Sequence, residues 1–393
     1  MFASLQVNAP RKARFALEPI YFLTLIVVLV HTSFGGSRIL LSLYALSLGG
    51  TPFIIGLLIS VYALTPMFVS VKAGRIADRI GHRVPMFYGA IGLALGLLIP
   101  VLWHGLPALF VSAAIVGASF SVFNVAAQAL VGAMSALDRR AFNFSTLSMG
   151  YSVASLVGPL VVGYAVDHTG PVWAYAILAI ILLAPVAALA SKRRVPRAAK
   201  PAGAESGKRS VMDLLRNRPL LAIFAASGAC VTGWDLFTFF MPIYGTRIGL
   251  SATMIGIIIS SFGVATLVVR IFIPRLTKRY GDNTVLAWAM ALGAVAFGSL
   301  PFFENPFLLM SAAFLMGLGL GCGQPLTMMI CYNRSPAGRA GEANGIRQMA
   351  NNLTHMVVPL VFGALGSVFG MGPVFWLNSM ILLSGAFLGG KRF

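Results

Sequence analysis

Charge is scarce in this sequence, and negative charge is scarcer still. Only 10% of the 393 residues are charged, and 10 acidic residues stand against 29 Lys and Arg, which gives a formal net charge of +19. Soluble domains carry about 25% charged residues, so the composition excludes a soluble globular protein. A disordered chain is excluded as well, because 58% of the residues are hydrophobic and the mean hydropathy is +0.87.

The sequence also has few cysteines and no motif for a nucleotide or a metal. Its 3 cysteines, Cys230, Cys322 and Cys331, all fall inside apolar runs, so we expect no disulfide framework. No Walker-type lysine, HExxH or CxxC spacing is present, and the glycines between 317 and 323 lie in an apolar run rather than after a strand. We therefore expect no cofactor, no metal site and no enzymatic activity.

Long apolar runs occupy most of the chain. A run of about 20 residues is long enough to cross a bilayer as a helix. The connections between runs are short except for residues 191–218, which are rich in Lys, Arg, Pro, Gly and Ala and are predicted to form a mobile linker. The twelve predicted spans are 19–46, 52–72, 84–102, 106–135, 143–166, 171–190, 219–246, 252–273, 284–301, 306–331, 344–369 and 373–390.

Basic residues sort to one side of this predicted topology. That side holds 27 of the 29, in the N-terminal segment, the linker, the C-terminus and the connections after spans two, four, eight and ten. Arg270 and Arg347 are assigned to the connections after spans eight and ten. The positive-inside rule makes this side cytoplasmic. We therefore expect both termini in the cytoplasm, an inner (plasma) membrane location, and contact of the basic side with membrane lipids rather than with nucleic acid.

The two halves of the chain repeat at an offset of 200 residues. The matched pairs include Tyr44/Tyr244, Gly49/Gly249, Gly56/Gly256, Arg79/Arg279, Gly81/Gly281, Pro159/Pro359 and Gly163/Gly363. The repeat predicts an all-α integral membrane protein of twelve transmembrane helices, in two pseudo-symmetric six-helix bundles around a central cavity, with a substrate site near the midplane. The predicted parts are a cytoplasmic segment 1–18, a bundle 19–190, a cytoplasmic basic linker 191–218 and a bundle 219–393. We expect a monomer.

The connection after span two resembles the loop signature of the major facilitator superfamily. It reads Gly74-Arg75-Ile76-Ala77-Asp78-Arg79-Ile80-Gly81-His82-Arg83. Span five carries Gly158-Pro159, which is similar to the Gly-Pro motif of the superfamily's antiporters. The resemblance covers nearly the whole chain and implies a secondary transporter, closest in motifs to the twelve-span drug/proton antiporter-like exporters. In span four, where many of these exporters carry an arginine, this sequence has Asn124 and Gln128 instead.

The same resemblance implies a gate on the cytoplasmic side. Asp78 is expected to latch this side by interacting with the start of span eleven and with an arginine after span four, which is Arg139 or Arg140 here. A carboxylate is stabilised at a helix N-terminus and beside a cation, which agrees with that role. The predicted gating residues are Asp78, Gly74, Arg79, Gly81, Arg139, Arg140, Gly158 and Pro159.

Two ionisable residues lie well inside predicted spans, Asp235 in span seven and Arg38 in span one. A charge at midspan costs roughly 2.5–3.5 kcal/mol on insertion scales, so each is a functional candidate. The repeat aligns Asp235 with Gly35, one helical turn from Arg38, and we expect the two charges to pair across the cavity in one conformation. Proton binding to Asp235, or an anionic substrate binding to Arg38, would then bias the conformational equilibrium. The alternative is a permanent structural ion pair.

Uncharged polar groups inside spans are further candidates. His31 shares a helical face with Arg38 and is interpreted as a proton relay, a substrate donor or a packing residue. Asn124 and Gln324 occupy equivalent positions in spans four and ten, and Gln128 lies one turn beyond Asn124. These amides are interpreted as substrate contacts or as interhelical hydrogen-bonding groups.

Span eleven carries a polar stripe. Gln348, Asn352 and His355 follow an i, i+4, i+7 spacing, with Asn351 adjacent. Such a stripe indicates a water-lined cavity wall or interhelical hydrogen bonds. The candidate substrate-binding or coupling residues are Asp235, Arg38, His31, Asn124, Gln128, Gln324, Asn351, Asn352, His355 and Trp234.

The sequence thus predicts a secondary transporter that moves a small organic molecule by alternating access, with protons as the expected coupling ion and efflux as the expected direction. One alternative is an uptake symporter or facilitator for a small organic anion, because Arg38 and His31 suit an anionic substrate. A second alternative is a transport-inactive sensor or scaffold, which would not need the latch or the polar cavity.

Overall fold

The computed structural model describes residues 19–135, 140–191, 212–336 and 340–392, and within these ranges it is built from helices. The predicted segment 1–18 and most of the predicted linker lie outside the described residues. The α-helices are α1 Pro19–Ser47, α2 Pro52–Ile80, α3 Arg83–Leu102, α4 Leu106–Met134, α5 Arg140–Ile181, α6 Leu183–Ala190, α7 Met212–Arg216, α8 Arg218–Arg247, α9 Ala252–Tyr280, α10 Asp282–Ser299, α11 Pro306–Leu320, α12 Gly323–Arg334, α13 Ala340–Phe369 and α14 Met371–Arg392.

Every predicted span falls on one helix or on two consecutive helices. Ten helical segments of the described chain are long and apolar enough to cross a membrane. One of them, Phe142–Ala190, is 49 residues long and contains predicted spans five and six, which are separated at Gly170, where φ is 81°. Predicted span twelve corresponds to α14, whose apolar part Met371–Phe387 is shorter. The chain is an all-α multi-pass membrane protein.

Equivalent helices of the two halves begin and end with the same local chemistry. The hydroxyl of Thr51 accepts a 3.4 Å hydrogen bond from the first turn of α2, and that of Ser251 accepts one of 3.2 Å from the first turn of α9. Such caps satisfy backbone N–H groups that have no partner inside the helix. Both helices end at a glycine in the left-handed region, Gly81 with φ 92° and Gly281 with φ 81°, a conformation that a side chain disfavours.

Two helices continue beyond the spans predicted for them. Helix α2 continues to Ile80 and α9 to Tyr280, so most of the predicted loop signature is helical and only Gly81 and His82 connect α2 to α3. The charged residues ended the apolar run in the sequence but did not end the helix, because polar side chains at a membrane surface leave the backbone hydrogen bonds intact. The predicted linker also contains a short helix, α7.

Predicted span ten is not one continuous helix. Helix α11 ends at Leu320 and α12 begins at Gly323. Pro325 has no backbone N–H, so the carbonyl of Gly321 loses its regular helical partner. The chain tightens there, and the N–H of Cys322 donates to the carbonyl of Gly319 at 3.2 Å.

Arg270 and Arg347 were wrongly assigned to connecting loops. Arg270 lies within α9 and is half-buried, and Arg347 lies within α13 with 4% of its surface exposed. Both positions fall inside the predicted spans 252–273 and 344–369, but the sorting of charges counted them with the loops. In the structure their guanidinium groups donate hydrogen bonds to neighbouring helices. Two embedded cations were therefore missed.

The two halves contact each other reciprocally. The hydroxyl of Ser60 on α2 donates to the carbonyl of Met356 on α13, and that of Ser260 on α9 donates to the carbonyl of Leu156 on α5, both at 2.8 Å. Each residue of the second pair is offset by 200 from its counterpart. The repeat seen in the sequence thus recurs in the packing of α2 on α13 and of α5 on α9.

Glycines bring these helix pairs into backbone contact. A Cβ on Gly256 would lie 2.5 Å from the carbonyl oxygen of Pro159, and a Cβ on Gly56 would meet the carbonyl of Pro359 in the same way. We call the end of the bundle where α1 and α8 begin the terminal end, and the end where they finish the distal end. The close contacts lie toward the distal end, where α2 and α9 begin.

Candidate coupling and transport site

Asp235 lies at the centre of a three-helix cluster. It is on α8 and fully buried at 0% exposure, about 18 Å from the distal end of that helix at a rise of about 1.5 Å per residue. Nη2 of Arg38 on α1 donates to Oδ1 of Asp235 at 3.3 Å, and Nδ1 of His355 on α13 contacts Oδ2. The pairing expected for Arg38 and Asp235 is thus present, and the repeat did not reveal that His355 completes it.

The packing of α1 fixes the position of Arg38. A Cβ on Gly158 of α5 would lie 3.0 Å from the carbonyl of Thr32 and 3.2 Å from the nitrogen of Gly36, so the two backbones touch just before Arg38. A carboxylate buried away from water is stable in its ionised form only when it is paired and hydrogen-bonded. Asp235 meets that condition through partners from two other helices.

A cavity of about 90 Å³ adjoins the ion pair. The indole of Trp234 forms one wall and stands edge-on to the ring of Phe262, with 4.6 Å between the ring centres. Pockets for drug-sized ligands have volumes of about 300–1,000 Å³, so this space admits a functional group rather than a whole ligand. Its lining includes Gly35, Arg38, Pro159, Trp234, Thr238 and Phe262.

His31, Asn124 and Gln128 form a separate cluster in the first half. Oδ1 of Asn124 accepts hydrogen bonds from Nε2 of Gln128 at 3.3 Å and from the phenol of Tyr151 at 3.4 Å. The ring of His31 lies 4.5 Å from that of Tyr151, and its Nδ1 is 3.0 Å from the carbonyl of Val27. Sequence reasoning missed Tyr151, which links the three predicted residues.

Asn351 belongs to a buried network around Arg347. Arg347 donates from Nε to Asn344 at 2.9 Å and from Nη1 to the hydroxyl of Ser227 at 3.1 Å. Ser227 in turn donates to Oδ1 of Asn351 at 2.9 Å. Among the described residues no carboxylate contacts Arg347. The structure therefore places Asn351, at 1% exposure, behind the polar stripe of α13 rather than on its surface.

The remaining predicted amides are more accessible. Gln348 on α13 and Gln324 on α12 are exposed, and Asn352 is half-buried. Within the described part of the chain, no hydrogen bond joins Gln324 to Asn124. The role of these two amides as substrate contacts or interhelical hydrogen-bonding groups stays a prediction.

Asp167 is a contact between the halves that sequence reasoning missed. Its carboxylate lies just before the kink of α5 at Gly170, at the distal end of the bundle. It accepts hydrogen bonds from the backbone N–H groups of the first two residues of α9, Ala252 at 3.0 Å and Thr253 at 2.7 Å. A carboxylate is favoured at a helix N-terminus by the unpaired N–H groups and the helix dipole. The sequence signal was weak, because an acidic residue at the end of a span looks like an ordinary loop residue.

Arg270 joins the same helix pair nearer the terminal end. Its Nη1 donates to the carbonyl of Ser148 at 3.0 Å and to the hydroxyl of Ser152 at 2.7 Å, both on α5. The contacts between α5 and α9 therefore extend from Asp167 to Arg270.

The predicted gating residues are only partly described. Gly74 lies on α2, where a Cβ would be 3.7 Å from Val125 of α4; Arg79 is exposed near the end of that helix. Arg139 and the side chains of Asp78 and Arg140 lie outside the described residues. The predicted latch thus remains a prediction.

Comparison with protein families gives one match that spans most of the chain. The model of the Major Facilitator Superfamily matches residues 23–303 and 231–391. The chain is 24% identical over 336 residues to the multidrug resistance protein MdtG of Escherichia fergusonii, covering 82% of this chain and 81% of MdtG. It is 22% identical over 363 residues to the quinolone resistance protein NorA of Staphylococcus aureus, covering 91% of this chain and 92% of NorA.

Solved structures share the fold. A mutant of the peptide transporter POT superposes with a TM-score of 0.80 at 16% identity, covering 97% of this chain and 95% of that one. A mutant of the nucleoside transporter NupG superposes with a TM-score of 0.79 at 14% identity, covering 96% of this chain and 100% of that one. At these identities the likeness concerns the fold alone.

Proposed function

Because this chain belongs to the Major Facilitator Superfamily, and is therefore a multi-pass membrane transporter rather than an enzyme, we propose that it exports a small organic molecule in exchange for protons. The observation that carries the proposal is the buried Asp235, whose carboxylate is held by Arg38 and His355. A carboxylate that exchanges a proton changes the charge of this cluster, and the cluster ties α1, α8 and α13 together.

Proton binding to Asp235 would weaken its contact with Arg38. The ion pair joins helices from opposite halves of the chain, so its loss would favour a conformation in which the halves separate at the distal end. A ligand shifts a conformational equilibrium only by its differential affinity for the two states. Here the proton is that ligand. Alternating access then follows from the formation and loss of the ion pair between Arg38 and Asp235.

Two features support export as the direction. The relatives MdtG and NorA are named for resistance to several drugs and to quinolones. The Gly158-Pro159 motif, which resembles that of the superfamily's antiporters, packs on α1 and borders the cavity beside Arg38. We propose a quinolone-like organic molecule as the class of substrate to test first.

The charge distribution supports a plasma-membrane protein with both termini in the cytoplasm. Basic residues concentrate at the terminal end, which the positive-inside rule places inside the cell. The close contacts of α2 with α13 and of α5 with α9 lie toward the distal end. We therefore interpret the structure as a conformation closed to the outside of the cell.

Asp78 is proposed to act at the terminal end as a latch. Its position in the loop signature and its closeness in sequence to the end of α2 support this role. We expect Asp78→Asn to slow transport and leave substrate affinity unchanged. Unchanged transport would count against the latch.

A second candidate, uptake of a small organic anion together with a proton, is favoured by Arg38. Its side chain is 23% exposed and lines the cavity. If an anionic group bonded to Arg38 in place of Asp235, the released carboxylate would take up a proton. Anion and proton would then bind together, whereas a substrate that competes with the proton for Asp235 would be exchanged for it.

Proton release on binding separates the two candidates. The purified protein in weakly buffered detergent solution is mixed with norfloxacin, a quinolone, or with benzoate. A pH-sensitive dye then reports the change in the pH of the solution. The export proposal predicts that norfloxacin binding releases protons from the wild type and not from Asp235→Asn. Proton uptake with benzoate would support the second candidate. Binding of norfloxacin without a change in pH would contradict proton exchange, and binding of benzoate without a change in pH would contradict uptake together with a proton.

A further inference from the structure

The contacts of Asp235 restrict how its proton can leave. The residue is fully buried, and its two carboxylate oxygens are contacted by Arg38 and His355. The guanidinium of an arginine stays protonated in proteins and accepts no proton. An imidazole accepts and releases protons at physiological pH. His355 is therefore the contacting side chain that can take a proton from Asp235.

His355 also reaches more accessible surroundings. Its side chain is 32% exposed, compared with 0% for Asp235. Along α13 toward the terminal end, Asn352 and Gln348 follow at three and seven residues, half-buried and exposed respectively. Asn344 continues the stripe at eleven residues. Amide groups of this kind hold ordered water by hydrogen bonding, so the stripe forms a polar path from His355 to the terminal end.

Other titratable groups near this path do not provide an alternative. On α2, the phenol of Tyr62 hydrogen-bonds to the hydroxyl of Ser37 at 2.9 Å, beside Arg38. On α8, Cys230 is buried five residues before Asp235, and on α12, Cys331 is also buried. The described side chains of α14 include no titratable group. Within the described chain, none of these groups makes a hydrogen bond or an ion pair with His355 or Asp235.

We propose that His355 carries the coupling proton between Asp235 and the terminal end. The proton moves from Oδ2 of Asp235 to Nδ1 of His355, which leaves a carboxylate and an imidazolium. The imidazolium then gives a proton from Nε2 to water in the amide stripe, and the ring returns to its neutral form. This inference rests on the proposed function, because it takes Asp235 as the site of protonation.

The exchange of the Asp235 proton with heavy water tests this role without a substrate. Infrared difference spectra of the purified full chain in lipid, recorded on acidification, report the stretch of a protonated carboxyl group. We expect a band that Asp235→Asn removes. After a switch to deuterated buffer, the band shifts as the proton exchanges. Positioned proton-transfer groups accelerate transfer by about 10²–10⁴-fold, so in His355→Gln the exchange should slow by about a hundredfold or more.

His168→Gln is the matched control. His168 lies at the distal end, outside the candidate site, where its Nδ1 contacts the carbonyl of Tyr164 and its ring stacks on that of Tyr164. Its substitution should leave the exchange rate unchanged. His355→Ala, with and without imidazole in the buffer, serves as the second variant, and added imidazole should restore the exchange rate. A purely structural role for His355 would not make the rate depend on imidazole.

The outcomes separate this inference from the proposed function. Wild-type exchange rates in His355→Gln, or no response of His355→Ala to imidazole, would overturn the relay and leave Asp235 as the coupling residue. A spectrum without any band that depends on Asp235 would contradict the proposed function itself, and the relay with it.

Discussion

The backbone N–H of Thr253, at the start of α9, donates a 2.7 Å hydrogen bond to the carboxylate of Asp167 at the distal end of α5. With the neighbouring N–H of Ala252 at 3.0 Å, it joins the two halves of the transporter. Because Asp167 caps a helix that belongs to the other half, the contact must break when the halves separate at this end. Asp167 therefore stabilises the conformation that is closed at the distal end.

Replacing Asp167 by Ala is expected to shift the equilibrium toward opening at the distal end. Asp167 is exposed, so solvent screening limits its contribution to about 1 kcal/mol, which is a factor of about five in the populations. Ser60, buried at 4% between α2 and α13, is the reporter position. Reaction of Ser60→Cys with a membrane-impermeant maleimide should become several-fold faster in the Asp167→Ala background.

Ser367 provides the control for this experiment. It is the counterpart of Asp167 at the offset of 200, and its hydroxyl donates within its own helix to Ala364 at 2.8 Å. Ser367→Ala should leave the labelling rate unchanged. Equal rates in Asp167→Ala and in the parent would show that the contact of Asp167 with the start of α9 does not hold the distal end closed.

Removing Arg38 alone should destabilise the protein more than removing both partners of the ion pair. Arg38→Gln leaves a buried carboxylate with one charged partner fewer, and breaking a buried pair costs about 3–5 kcal/mol. In Arg38→Gln with Asp235→Asn, no buried charge is left unpaired. Thermal unfolding in detergent should therefore give a higher midpoint for the double variant than for Arg38→Gln. The reverse order would mean that the pair contributes little in the folded state.

A methyl group at Gly256 should interfere with distal closure. An added Cβ would lie 2.5 Å from the carbonyl oxygen of Pro159, and overpacking of this kind costs about 1–3 kcal/mol. We expect Gly256→Ala to raise the labelling of Ser60→Cys. Gly228→Ala is the control, because its Cβ would lie 3.4 Å from the hydroxyl of Thr354, an ordinary contact. A response to both substitutions alike would point to a general loss of packing.

The sequence was sufficient to predict the helices because the bilayer imposes a simple rule on length and polarity. Apolar runs located the helices that carry all twelve predicted spans, and the repeat aligned Asp235 with Gly35, one helical turn from Arg38, which the structure brings to 3.3 Å from Asp235. The helix ends and the break at Gly321 were not predicted. They depend on local backbone hydrogen bonding, which hydropathy does not report.

The candidate site was predicted less completely, for a different physical reason. His355, Tyr151 and Asp167 make their contacts with residues more than 20 positions away, so no local pattern reveals their partners. Arg347 was assigned to a loop because its acceptors, the half-buried Asn344 and the buried Ser227, compensate for its charge only in the folded protein. Contacts such as these emerge from packing rather than from spacing along the chain.

Transport by Asp235→Asn decides whether this carboxylate couples transport to protons. Proteoliposomes with an imposed pH gradient are assayed for accumulation of norfloxacin, and the same preparation is assayed for counterflow of norfloxacin without a gradient. We expect the wild type to do both, and Asp235→Asn to retain counterflow but lose gradient-driven accumulation. Accumulation by Asp235→Asn at the wild-type rate would show that Asp235 is not the coupling residue.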